Sequence, residues 1–588
     1  MFHGNVIKSF RSLQMQPCVR DPNACDTLAI MKLTPFSLLA LLLFCASSVS
    51  LARSNEQVVV AAHPLAAEVG LDILNRGGNA MDAAVAVQAM LAFIEPQESG
   101  IGGGGFLLFR DGATGALSFH DGRETAPAAA TPDRFMIAGR WPLPFQLAVV
   151  SGRAVGVPGL VPMLHAAHEA HGHLPWSELF EAAIDLAERG APLPERMRRQ
   201  LLRDPSLRLF SGTRTLSRAA RQDDPQLLNP QLADVLRRIA VEGPTALQTG
   251  VLAENLVAAS GRGGWLPGDL TAEDLAGYRP KQREPLCGHY RRWTVCGAPP
   301  PSSGGIALLQ MLGILAHFDL PAMAPDSAEA VHLIAEASRL AFADRQRYLG
   351  DPDFVAVPTA GLIDPDYLAG RARLVDPTRA MELPAPGVPG VTPAIDDPPT
   401  LEPDEEAGTT HFSIIDAEGN AVALTSSIEA PFGSRRAVDG YLLNNQLSDF
   451  DFVPMRDGVP TANAVAPGKR PRSSMAPVFV FDQDDELVLV IGSRGGSRII
   501  GYVLKTLVGV LDWGLPLAEA VALPNVLHRG GRLEIEAGTT LVDRVPELQA
   551  LGHRVDLRVL ESGLHGIERF GGGWRGAADH RMEGVALP

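Results

Sequence analysis

Hydrophobic positions along the chain change period once, and that change divides the molecule. In DSAEAVHLIAEASRLAFADRQRYLGDP, residues Val331, Ile334, Ala335, Ser338, Ala341 and Phe342 recur at helical spacing. Asp326 and Glu329 read as a capping box at its start, and Gly350 and Pro352 close it, so the segment predicts one amphipathic core helix in a mostly helical first part. Beyond residue 408 the period becomes two. THFSIIDAEGNAVALTSSIE predicts two strands around Ala417, Glu418 and Gly419, and PVFVF and LVLVIGS predict more. Earlier, PLCGHYRRWTVCGAP predicts two short strands around a turn at Arg291 and Arg292. Residues 376 to 408 carry neither period and are dense in proline and acid, so they predict an exposed, extended linker. Strands, helices and again strands predict stacked layers.

Composition narrows the function classes. Of 588 residues, 46% are hydrophobic and 20% charged, the balance of a protein that buries large cores. Its 51 Lys and Arg against 67 Asp and Glu give a net charge of −16, which repels phosphate backbones and argues against a nucleic-acid partner. Met31 opens MKLTPFSLLALLLFCASSVSLARS, a lysine, an apolar run too short to span a bilayer, and small residues, as an export signal requires. Cleavage is expected near Ala52, with residues 1 to 30 an upstream extension; bulky Phe44 before Cys45 argues against a lipid anchor. The mature chain is therefore expected in the periplasm or outside the cell. It keeps two of five cysteines, Cys287 and Cys296, directly opposite in the predicted strand pair, which leaves a cross-strand disulfide and a pair of buried thiols both open.

Several other signals carry less. The histidines of HAAHEAHGH drift around a helix instead of sharing a face, so a solvated helix end is expected there and no metal site. The glycine run at 102 to 105 precedes a hydrophobic strand, which argues against dinucleotide binding. PGKRPRS reads as an exposed basic turn.

The informative junction is EEAGTTHFSIID, where the acidic linker ends in Gly408 and a strand begins with Thr409. A threonine hydroxyl can attack the preceding carbonyl in an N-to-O acyl shift. The cut leaves an N-terminal threonine whose own α-amine, with an ordinary pKa of about 7.7 to 8.0, serves as base to its hydroxyl.

Around this junction stand GGNAMDAAVA from Gly77, IGGGGFLLF from Ile101, GRETAP around Arg123, GVPG from Gly156 and PPPSSGG from Pro299. LLNNQLSDF from Leu442, KRPRSSMAP from Lys469 and GSRGGSRII from Gly492 follow. With TTHFSIID they resemble, in order, the γ-glutamyltransferases, members of the N-terminal nucleophile hydrolases. The resemblance implies an α+β fold, a four-layer αββα sandwich in which a large chain, residues 53 to 408, and a small chain, 409 to 588, are intertwined. It implies Thr409 as processing and catalytic nucleophile, Ser427 as the hydroxyl that hydrogen-bonds it, and Gly495 and Gly496 as the oxyanion hole. Arg123, Ser473 and Ser474 match the residues that hold a substrate's α-carboxylate, and Gln446 and Asp449 those that receive its α-ammonium. The implied substrates are γ-glutamyl amides such as glutathione, with water or an amino acid or peptide as acceptor and no metal or organic cofactor.

This sequence departs from the family pattern in three places. Glu429 stands where better-known members have Asn beside the substrate amine, and Arg494 replaces a usual Pro. The stretch from Phe450 to Ala462 is shorter than the usual lid and lacks its Tyr, so a wetter acceptor side that favours hydrolysis is expected. An acylase for glutaryl-type amides and an inactive γ-glutamyl peptide-binding relative are the competing readings.

Overall fold

A computed structural model describes residues 55–262, 266–390, 408–456 and 458–588. The export signal therefore lies outside the described residues, as does most of the linker. Two antiparallel sheets form the centre. Their strands, in chain order, are β1 (Val58–Ala61), β2 (Gly104–Arg110), β3 (Leu117–Asp121), β4 (Lys281–Arg283), β5 (Leu286–Tyr290) and β6 (Trp293–Gly297). After the linker come β7 (Gly408–Ile415), β8 (Ala421–Glu429), β9 (Val478–Phe481), β10 (Leu487–Gly492), β11 (His565–Phe570), β12 (Gly573–Ala578) and β13 (Val585–Leu587). One sheet runs β13-β1-β7-β8-β2-β3-β4 and the other β12-β11-β10-β9-β6-β5. In the first, segments from before and after Thr409 alternate, so neither part makes that sheet alone.

Period two explains the layers. Along β7, Phe412 and Ile414 face a helical layer that includes α1 (Pro64–Asn75), α2 (Ala80–Ile94) and α3 (Leu160–His171). Ile415, with Ala421 and Ala423 of β8 and Phe106 and Leu108 of β2, faces the second sheet, met there by Phe479, Val480, Leu489 and Ile491. Beyond it lie α4 (Gly304–Leu315), α5 (Ala328–Tyr348) and α6 (Ile499–Leu511), which completes an αββα sandwich. Covered on both sides, β7 is buried at every position. Its polar residues answer one another: His411 Nδ1 lies 2.8 Å from Thr425 Oγ1, and Ser413 Oγ donates to the His565 carbonyl at 3.0 Å. Helix α2, AMDAAVAVQAMLAFI, lacks a polar face because it too is buried throughout, and Asn79 with Asp82 forms its capping box.

Four expectations are corrected by the structure. Helix α5 is capped by Ser327, whose hydroxyl accepts the Ala330 N–H, and not by an Asp326–Glu329 box. The described start of the linker, to Gly390, docks instead of extending: Met381 N–H donates to Glu336, Gly387 N–H to Asp344, and Tyr348 donates to the Gly387 carbonyl. The histidine-rich end of α3 is only partly solvated: Glu169, Ala170 and His173 are exposed, but His171 stacks on Phe109 and His168 lies 3.2 Å from buried Asp82. The KRPRS run is buried: Lys469 donates to the carbonyls of Ala462 and Ala464, Arg470 pairs with Asp121 at 3.3 Å, and Arg472 reaches Asp451 at 3.8 Å. Buried acceptors make that placement tolerable.

Cys287 on edge strand β5 is paired directly with Cys296 on β6, and their sulfurs are bonded at 2.06 Å. Cys287 is exposed and Cys296 buried, so the reading as two buried thiols does not fit the placement. Alkylation of denatured, unreduced protein should leave both cysteines unlabelled, and reduction should label both. Replacing both by serine should lower stability by about 2–3 kcal/mol, read as a lower Tm.

Candidate active site

The site is built where β7 begins. Its register with β8 shifts between Gly408 and Thr409, which places Gly408 opposite Glu429 and Thr409 opposite Ser427. By alternation, Thr409 and Ser427 share the face turned toward the second sheet. Gly408 is confined: a Cβ there would lie 2.7 Å from the Gln97 carbonyl oxygen. Ser427 Oγ donates to the Gly408 carbonyl at 2.7 Å, accepts the Glu429 N–H at 2.8 Å, and lies 3.2 Å from Thr409 Oγ1. A serine hydroxyl has one proton. With that proton on the Gly408 carbonyl, Thr409 must be the donor in the hydroxyl pair. Ser427 thus polarises the carbonyl before Thr409 and accepts from the hydroxyl that would attack it.

Thr409 opens into a cavity of about 490 Å³ that Arg123, Glu429, Gln446, Asp449, Ser473, Ser474 and Gly496 also line. Arg123 is 1% exposed. Its Nε donates to the Pro471 carbonyl at 3.1 Å, and Nη2 to the Arg472 carbonyl at 2.9 Å and to Asp449 Oδ2 at 2.5 Å. Gln446 Nε2 donates to the same Asp449 oxygen at 3.0 Å. Beside Arg123, burial pushes the Glu124 carboxyl up to about 8. Ser473 Oγ accepts the Met475 N–H, and Ser474 Oγ accepts from Arg345 Nη2 at 2.8 Å. Arg345 also reaches Ser303 at 2.8 Å, so it ties the PPPSSGG segment to the serine pair. The helical pattern of the sequence, which ends at Phe342, does not single out Arg345.

Gly495 and Gly496 stand at the head of a 3-10 turn that runs into α6, with φ of 128° and 59°. A Cβ on Gly495 would lie 2.7 Å from the Tyr502 ring. Backbone N–H groups at such a helix start favour negative charge.

One group of residues escapes the sequence reading. Glu98, wholly buried just before the glycine run, accepts the Thr409 N–H at 3.0 Å. It is paired with Arg196 through one carboxylate oxygen and with Arg494 through the other, at 3.1 Å. Burial alone would raise its pKa, but Arg196 and then Arg494 hold the carboxyl below the usual range. The available signal was two acids, Glu95 and Glu98, following a mostly apolar helix.

His332, Glu336 and His553 also converge, with potential metal-ligating atoms within 4.8 Å of one another. Their polar atoms already have protein partners. His332 Nδ1 lies 2.7 Å from His553 Nε2, and Arg339 sits 3.3 Å from Glu336 and 3.4 Å from His553 Nδ1. A guanidinium in that position opposes a divalent cation.

A family model described as gamma-glutamyltranspeptidase matches residues 66–588. The chain belongs to that family. It is 37% identical over 556 residues to a glutathione hydrolase proenzyme of Bacillus subtilis strain 168, covering 91% of each chain. It is also 37% identical over 525 residues to the acylase ACY 1 proenzyme of Pseudomonas sp. strain V22, covering 86% of this chain and 88% of the relative. Among solved structures, cephalosporin acylase from Bacillus halodurans superposes with a TM-score of 0.79 at 27% identity, over 91% of this chain and 96% of that one.

In this member of the family, the residues at the three departures have definite settings. Glu429 has a φ of 79°, unusual for a residue with a side chain, and its carboxylate accepts from Asn445 Nδ2. Arg494 is buried against Glu98 and donates to the Thr409 carbonyl at 3.3 Å. The stretch from Phe450 to Ala462 brings an aromatic wall: Phe452 stacks on Phe135 at 4.5 Å and Phe145 at 5.8 Å, and Phe145, Phe450 and Phe452 line the cavity.

Ser427→Ala removes the donor to the Gly408 carbonyl and should slow self-cleavage about 100-fold or more, followed as loss of precursor on a denaturing gel. Ser427→Thr keeps the hydroxyl and should cut at close to the normal rate.

Proposed function

We propose that the protein is exported, cuts itself between Gly408 and Thr409, and uses the new N-terminal threonine to cleave γ-glutamyl amides, glutathione among them. In this reading residues 53 to 408 and 409 to 588 stay together as large and small chains. The glutathione hydrolase proenzymes among its relatives support both the substrate class and the cut.

The observation that carries the reading is the Arg123–Asp449 pair in the cavity that Thr409 lines. A γ-glutamyl group ends in a zwitterion, with a carboxylate and an ammonium on one carbon. Inserted between buried Arg123 and half-buried Asp449, it exchanges one ion pair for two, so neither charge loses its partner. Ser473 and Ser474 add donors to the carboxylate, and Gln446 and Glu429 add acceptors to the ammonium. A glutaryl group brings only the carboxylate and would leave Asp449 facing another anion. The acylases among the relatives make that the competing reading.

Chemistry follows from the threonine. Its α-amine takes the hydroxyl proton as Oγ1 bonds to the γ-carbonyl carbon, and the resulting oxyanion is held by the Gly495 and Gly496 N–H groups. Collapse breaks the C–N bond, and the departing amine takes the proton from the α-ammonium. Water or an amine then attacks the acyl-threonine with the same base. Phe145 and Phe452 give acceptors an apolar wall, while the short lid leaves water access, so hydrolysis competes with transfer.

Intact mass under denaturing conditions should resolve two species for the wild type, one of them residues 409–588, and a single uncut chain for Thr409→Ala. An uncut, well-folded wild type would overturn the proposal. Asp449→Asn should lower kcat/KM on γ-glutamyl p-nitroanilide about 100-fold and change the glutaryl analogue far less. Faster glutaryl than γ-glutamyl turnover by the wild type would favour the acylase.

A further inference from the structure

Beneath the nucleophile lies a charge cluster with no part in the mechanism above. Glu98 Oε2 accepts the Thr409 N–H at 3.0 Å and receives Arg494 Nε and Nη2 at 3.2 and 3.1 Å. Arg196 takes the other carboxylate oxygen, and Gln200 lies 3.4 Å from it. Arg494 is fixed in turn by the Glu561 carbonyl at 2.9 Å and by the Thr409 carbonyl at 3.3 Å. Glu95, at the end of α2, accepts from Thr410 Oγ1 at 3.1 Å, and burial, with Glu98 next, pushes its carboxyl up to about 7. All four ionisable side chains, Glu95, Glu98, Arg196 and Arg494, are at least nine-tenths buried.

Cleavage changes what this cluster faces. The Thr409 nitrogen is an amide before the cut and an amine after it, and the amine must be unprotonated to act as base. A lone buried carboxylate at 3.0 Å would hold it as an ammonium. Two guanidinium groups on the same carboxylate oppose that.

We propose that Glu98 and Arg494 are positioning residues for the α-amine of processed Thr409: Glu98 accepts one N–H and so orients the nitrogen lone pair, while Arg494 offsets the carboxylate charge and keeps the amine basic but free. This rests on Thr409 being the processed nucleophile. Arg196 fixes Glu98 from behind. The other charged groups around the amine are Glu95 from α2, Glu561 beside Arg494, and Glu429, Arg123 and Asp449 across the cavity. The substitution of Arg for the usual Pro and the acid at 98 thereby become one feature.

The test reads the amine without substrate turnover. Trace acetylation of the processed, folded enzyme across pH, with mass spectrometry of the peptide beginning at Thr409, gives the pKa of that amine. In the wild type it should lie at or below about 8, the ordinary N-terminal value. Glu98→Gln keeps an acceptor and removes a negative charge, so it should lower the value; Arg494→Met removes a positive charge and should raise it, each by about one pH unit. The acid limb of kcat/KM should move in the same two directions. A wild-type value above about 9, or variants that shift together or not at all, overturns the assignment. So does cleavage lost in both variants while they remain folded, because the pair would then act in processing. Normal amine values in an enzyme inactive on γ-glutamyl anilides would instead overturn the functional reading and leave this one standing.

Discussion

The pairing of β7 with β8 decides where the chemistry can occur. It sets Thr409 opposite Ser427 and leaves Gly408 displaced by one irregular step, so that one serine hydroxyl touches both the Gly408 carbonyl and the Thr409 hydroxyl. A slip of one residue would turn Thr409 toward the helices and Thr410 toward the cavity. Much of the molecule holds that register. The two cores pin alternate residues of β7, and the glycine run lets β2 lie close to β8: a Cβ on Gly103 would meet the Ser427 carbonyl oxygen at 2.2 Å.

The central hairpin was legible because period two and the turn at Asp416–Asn420 are local signals, and the layers followed from the order of strands and helices. The residues around the cavity came from resemblance, and the structure brings Arg123, Glu429, Gln446, Asp449, Ser473, Ser474 and Gly496 together with Thr409 and Ser427. What failed was local reasoning about charge. Lys469, Arg470 and Arg472 look like an exposed turn until the acceptors arriving from Asp121, Asp351, Ala462 and Asp451 are known. Glu98 was invisible for the same reason: Arg196 and Arg494 lie about 100 and 400 residues away. The Asp326 box failed through competition, since Ser327 sits one residue nearer and takes the N–H.

Arg494 also shows why a family position cannot be read alone. As an isolated change from proline it adds bulk and charge beside the oxyanion glycines. Joined to Glu98, which Arg196 also holds, it is one of two guanidinium groups that balance a buried carboxylate beside Thr409. The aromatic wall is a similar convergence, in which Phe135 and Phe145, distant in sequence, stack with Phe452 from the stretch between Phe450 and Ala462.

The alternation of segments in the first sheet would give the proposed cut a direction in time. As one chain, the protein finds β1 and β7 at the high effective concentration that a covalent connection provides. With the bond before Thr409 cut, as proposed, the same pairing between separated pieces would be a bimolecular search, with long unpaired strand edges exposed throughout. Under the proposed cut, the cleaved protein would be a product of its own assembly history, folded as one chain and held afterwards by a kinetic barrier.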